Sequence, residues 1–118
     1  MEQVNFSCKT YLEWKTLMEE KLKTATSFEI HCWENENQWY LLALNYGTEK
    51  KTTWSGKIVR GAVTPAFCDM LLGLAEPTDK EIDNKFTPFF SVFWDNGFSS
   101  EHYGTELNDG YDWNLESS

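Results

Sequence analysis

Phe86-Thr87-Pro88-Phe89-Phe90-Ser91-Val92-Phe93-Trp94-Asp95-Asn96-Gly97-Phe98-Ser99-Ser100-Glu101-His102-Tyr103 is the stretch that decides the fold. Asn96-Gly97 is the commonest two-residue hairpin turn, because both central positions require a positive φ. On its near side, Phe86 to Trp94 is rich in β-forming residues, with Pro88 close to the start, where a missing N–H is tolerated. Phe98–Tyr103 is the return strand. A hairpin of this kind predicts antiparallel sheet. Asn108-Asp109-Gly110 then reads as a second sharp turn.

Upstream, Thr10 and Glu13 have capping-box spacing. Tyr11, Trp14, Leu17, Met18 and Leu22 recur at three- and four-residue steps, which predicts a helix over about residues 10–24 with one apolar stripe. In Ser27–Trp33 the residues alternate, with Phe28, Ile30 and Cys32 on one side and Glu29, His31 and Trp33 on the other. Trp39–Tyr46 is a nearly continuous apolar run, read as a central strand that forms a hairpin with the preceding one. Gly47 to Lys51 reads as a polar loop, and Thr52–Val63 as a bulged strand because it contains Gly56 and Gly61.

Thr64-Pro65 opens a second helix, with an N-cap hydroxyl and a proline at the first helical position, and Glu76-Pro77 closes it. Thr78 and Glu81 repeat the capping spacing, so Asp79–Asn84 is expected to add a helical turn. The chain therefore reads as one α+β domain over residues 1–118, a mainly antiparallel sheet of about four to five strands with two helices packed on one face. Trp14, Leu17, Phe28, Ile30, Leu42, Leu44, Phe67, Leu71 and Phe90 are the expected core.

Composition agrees with a globular chain, at 41% apolar and 16% aromatic residues. No apolar run is long enough for a transmembrane helix. Met1–Asn5 has neither a basic nor an apolar segment, so no signal peptide and a cytoplasmic location are expected. Cys8, Cys32 and Cys68, an odd count without a CxxC pair, are expected as free thiols.

The candidate chemistry is sparse. His31 reads as an exposed strand residue, and His102 as a surface histidine that a strand would turn away from Glu101. Cys68 follows Phe67 in an apolar helix, which points to burial rather than nucleophilic catalysis. The cysteines stand too far apart for structural zinc, and Asp109-Gly110-Tyr111-Asp112 lacks the remaining ligands of a calcium loop. No phosphate-binding glycine motif is present. No cofactor, no metal and no enzymatic activity are expected.

Charge is the outstanding feature. The chain carries a net charge of −9, and no Lys or Arg follows Lys85. The last 33 residues contribute −6 of that total, interleaved with Trp94, Phe98, Tyr103, Tyr111 and Trp113. Such a surface repels nucleic acid and anionic lipid but attracts a cationic protein. Aromatic side chains supply interface anchors and carboxylates steer the encounter. Asp95, Glu101, His102, Tyr103, Glu106, Asp109, Tyr111, Asp112 and Trp113 are the expected partner-binding residues.

A short acidic α+β chain with Thr87–Glu106 as its aromatic-rich segment resembles bacterial toxin immunity proteins of the contact-dependent growth-inhibition and polymorphic-toxin type. The resemblance is one of type, across the whole chain. It implies a protein that binds a cognate toxin, often a basic nuclease, and blocks its active site. It transfers no catalytic residues. The alternatives are a phage-type acidic inhibitor that mimics nucleic acid, a small enzyme dependent on His102 with Glu101 or a cysteine, and an assembly subunit.

Overall fold

Two strands flank the central Ser27–Cys32 strand in the computed structural model, and neither is the one its hydropathy predicts. The structure describes residues 4–74, 76–77 and 85–110. In chain order the elements are β1 (Val4–Phe6), α1 (Tyr11–Leu22), β2 (Ser27–Cys32), α2 (Asn37–Leu44), β3 (Thr48–Lys50) and β4 (Lys57–Ala62). They are followed by α3 (Pro65–Gly73), β5 (Ser91–Trp94), β6 (Phe98–Glu101) and β7 (Glu106–Asp109). The sheet order is β1-β7-β6-β5-β2-β4-β3, and every neighbouring pair is antiparallel. The class is α+β as read from the sequence, but the described residues hold seven strands in place of four to five and three helices in place of two.

The Trp39–Tyr46 run is the main correction. It forms helix α2, not a strand, and the hairpin with Ser27–Trp33 does not exist. A short apolar run does not distinguish a buried strand from a helix by periodicity, and Leu and Ala favour helix. Burial is one-sided, as in a helix: Ala43 is fully buried while Leu41 is 52% exposed. β2 pairs instead with β4 and β5. The expected polar loop Gly47–Lys51 holds the edge strand β3, and the strand expected from Thr52 begins only at Lys57. Gly61 is there for closeness rather than for a bulge: a Cβ on it would lie 2.4 Å from the Tyr46 carbonyl oxygen and 2.8 Å from the Phe28 ring. β1 and β7 were not expected as strands; Asn108 and Asp109 belong to β7, and Gly110, with φ 92°, donates its N–H to the Gly97 carbonyl. The turn expected at Asp79–Asn84 lies outside the described residues.

The helix starts follow their capping chemistry. Thr10 Oγ1 accepts from the Glu13 N–H at 3.1 Å, and the Glu13 carboxylate accepts from the Lys9 N–H at 2.9 Å. Thr64 caps α3 through the Phe67 N–H.

All three helices supply side chains to one core on one face of the sheet. Trp14 and Met18 of α1, Ala43 of α2, and Phe67 and Leu71 of α3 meet Phe28, Ile30, Val59, Val92, Trp94, Phe98 and Leu107. Phe28 and Phe67 stack with centroids 4.1 Å apart. Of the expected core, Leu17, Leu42 and Leu44 are half-buried against this cluster. Phe90 is half-buried and on the opposite face, because the chain bends before β5 and sends Phe89 into the core instead. Among the described residues no helix is long and apolar enough to cross a membrane.

Candidate functional site

The face of the sheet turned away from the helices is organised in cross-strand rows. Side chains directly opposite one another on neighbouring strands share a face. One row runs Lys50, Ile58, His31, Ser91, Glu101, Glu106 across six strands, from β3 to β7. A cation stands at one end and two carboxylates at the other. Ser91, the smallest member, is near the centre and leaves a hollow.

That hollow is a cleft of about 680 Å³. The rings of Trp54 and Phe90 wall it, lying 15° from parallel with centroids 6.3 Å apart. Trp54 comes from the loop after β3, Phe90 from the segment before β5. His31 packs between Trp54 and Phe93, at 5.5 and 4.8 Å.

Glu29 lies in the adjoining row, only 2% exposed. A buried carboxylate requires compensation, and three cationic or imidazole groups supply it. Lys50 Nζ is 3.2 Å and Arg60 Nε 3.0 Å from Oε1, and His31 Nε2 is 2.7 Å from Oε2. Burial alone would raise the Glu29 carboxyl; hydrogen bonds and charge from His31 and Lys50 outweigh it and hold it below the ordinary carboxylate range. Toward the ionised Glu29 carboxylate, an acceptor only, His31 Nε2 is the donor. This network was missed in the sequence. Its only signal there was the alternation that sets Glu29 and His31 on one side of a strand, since Lys50 and Arg60 arrive from other strands.

The structure divides the expected partner-binding residues. Glu101 and His102 both line the cleft. The strand reading set them on opposite faces, but β6 ends at Glu101, and His102 and Tyr103 adopt φ of 51° and 62°. Glu101 accepts from Ser99 Oγ at 2.9 Å and from the Asn108 amide. Glu106 pairs with His102, which is 58% exposed, and accepts from the Asn5 amide at 2.7 Å. Tyr103 is buried, and its hydroxyl donates to Glu36 at 2.8 Å, tying the β6–β7 loop to the start of α2.

Asp95 and Asp109 sit at the other end of the sheet, beside the Asn96-Gly97 turn. Asp95 accepts from the backbone N–H groups of Thr26 and Ser27, at 2.8 and 3.2 Å, and from the Thr26 hydroxyl. Burial pushes its carboxyl up, but these hydrogen bonds prevail and hold it low. Asp109 pairs with Lys21 of α1 at 3.3 Å. Tyr111, Asp112 and Trp113 lie outside the described residues.

The three cysteines are free thiols. Burial, reinforced by Glu36, pushes Cys32 up to about 12. Cys68 is half-buried on α3, and burial followed by the nearby Asp69 charge raises its thiol, the reverse of nucleophile activation. The chain matches no protein-family model, no curated protein and no solved structure at a significant level.

Proposed function

We propose that this chain is an immunity-type inhibitor, one that neutralises a cognate cationic toxin by binding rather than by turnover. One observation carries the reading: Glu101 and His102 stand in a cleft walled by Trp54 and Phe90. Aromatic anchors and carboxylates are the two ingredients of a tight, electrostatically steered interface, and here they occupy one site. The net charge of −9 adds long-range attraction for a basic toxin such as a nuclease, whose own cleft must attract phosphate. Asp95 and Asp109 have structural partners at the far end of the sheet and fall outside this interface.

The test is to express the protein with each candidate toxin domain encoded beside its gene. Protection of the host cell, and a complex of the two purified proteins that resists dilution, support the reading. Full toxicity in the presence of the folded protein, with no complex at micromolar concentration, refutes it.

A second reading is favoured by a separate observation. Two imidazole–carboxylate pairs, His31 with Glu29 and His102 with Glu106, hold their histidines at one cleft. Such pairs suit general acid–base work in a small hydrolase. Turnover of an ester or phosphodiester substrate that disappears in both His31→Gln and His102→Gln would establish it.

A further inference from the structure

The cleft is electrically polarised along its length. At the β3–β4 side, Lys50 and Arg60 pair with the Glu29 carboxylate, and Lys51 lines the cleft beside Lys50. At the β6–β7 side, Glu101 lines the cleft with Glu106 opposite it on β7, and Glu106 pairs with the cleft-lining His102. A chain of ten cations and nineteen acids has thus gathered a positive pole on one wall of a cleft whose other wall is negative. Between the poles lie aromatic faces and the small Ser91 side chain. Glu29 makes the arrangement a built one. It is almost fully buried, and it fixes the Lys50 ammonium and the His31 ring beside the hollow.

We propose that this cleft binds a short zwitterionic peptide with an aromatic side chain. Its carboxylate faces Lys50 and Lys51, its ammonium faces Glu101, and its ring lies against Trp54 and Phe90. The length follows from the sheet. Lys50 Nζ reaches to 3.2 Å from the carboxylate of Glu29 on β2, and β2 is two strand spacings from the β6 of Glu101, on the order of 10 Å. Three extended residues span about that distance, whereas the two charges of a free amino acid do not. A cleft of about 680 Å³ lies within the range of small-molecule sites. The proposal does not depend on the chain being an inhibitor of a toxin.

The probe is the tripeptide Gly-Phe-Gly, compared with its N-acetylated and C-amidated forms. The readout is the indole N–H resonance of Trp54, identified from its loss in Trp54→Phe. The free tripeptide is expected to shift this resonance saturably, and each cap to weaken binding by about tenfold. Lys51 is exposed, so Lys51→Glu leaves the fold intact and is expected to weaken the free peptide but not the amide. Glu101→Gln is expected to abolish the difference between the free and acetylated peptides. No saturable shift up to ~10 mM, equal binding of all three peptides, or unchanged discrimination in both variants overturns the proposal.

Discussion

Glu29 and His31, two positions apart on one strand, join through a 2.7 Å contact between Oε2 and Nε2, on the side of the sheet away from the helices. The period of two that places them on one face also brings Lys50 and Arg60 within reach of the same carboxylate. Breaking such a pair costs more than the pair contributes, because the remaining charges are left half-buried. Glu29→Ala is therefore expected to destabilise the fold by about 3–5 kcal/mol in urea unfolding. An unchanged midpoint would mean that the cations find solvent without cost.

Acid sensitivity follows from the two depressed carboxyls, Glu29 and Asp95. A carboxyl held low in the folded state contributes stability that is complete above the unfolded value, about pH 4–5, and is lost as pH falls through the folded value. The double variant Glu29→Gln, Asp95→Asn should start less stable at pH 7 and lose less on acidification. Thermal melts between neutral pH and about pH 3 measure the slope. An unaltered slope would show that other carboxylates dominate acid unfolding.

At alkaline pH the sign reverses. The folded Cys32 thiol is held at about 12, well above its ordinary value of 9.0. The unfolded chain releases this proton first, so stability falls as pH rises from the unfolded value toward the folded one. Cys32 should react with an aromatic disulfide reagent only as fast as the protein unfolds, whereas half-buried Cys8 and Cys68 should react in the folded state. Rapid labelling of all three would contradict the burial of Cys32.

Helix α2 is testable by the pattern of tolerance along it. Leu41→Lys should change stability by no more than about 0.5 kcal/mol, since Leu41 points largely to solvent. Ala43→Leu should cost about 1–3 kcal/mol, because Ala43 is fully buried in the core and a larger side chain overpacks it. In a strand buried on both faces the lysine would be the ruinous change, so unfolding urea midpoints for the two variants separate the two structures.

For the proposed partner, Glu101→Gln with Glu106→Gln should slow association, most strongly at low salt, by up to about tenfold. Trp54→Ala should instead speed dissociation, as loss of a packed anchor does. Stopped-flow mixing across salt concentrations distinguishes the two effects. A salt-independent association rate, equal in parent and variant, would remove the steering argument.

Local rules determined much of this protein from sequence alone. Thr10 and Thr64 start their helices because a hydroxyl satisfies an orphan N–H three residues on. The hairpin falls where Asn96-Gly97 sets it, but as a three-residue loop, 95–97, in place of the two-residue turn: Gly97 alone of the pair has a positive φ, 89°, and its N–H donates to the Trp94 carbonyl. The alternation in Ser27–Cys32 sorted core from cleft correctly. Each of these interactions closes within a few residues, so the information lies in a short window. What the tertiary structure decided is long-range. The Trp39–Tyr46 run is helix rather than strand because β2 finds its hydrogen-bonding partners in β4 and β5, from both directions along the chain. Asp95 and Asp109 separate from Glu101 and Glu106 because β5, β6 and β7 place the first two beside the turn and the other two at the opposite end. The cleft itself draws its poles from β3, β4, β6 and β7, positions up to 56 residues apart between Lys50 and Glu106. No local pattern encodes that meeting, because it exists only once the register of every intervening strand is set.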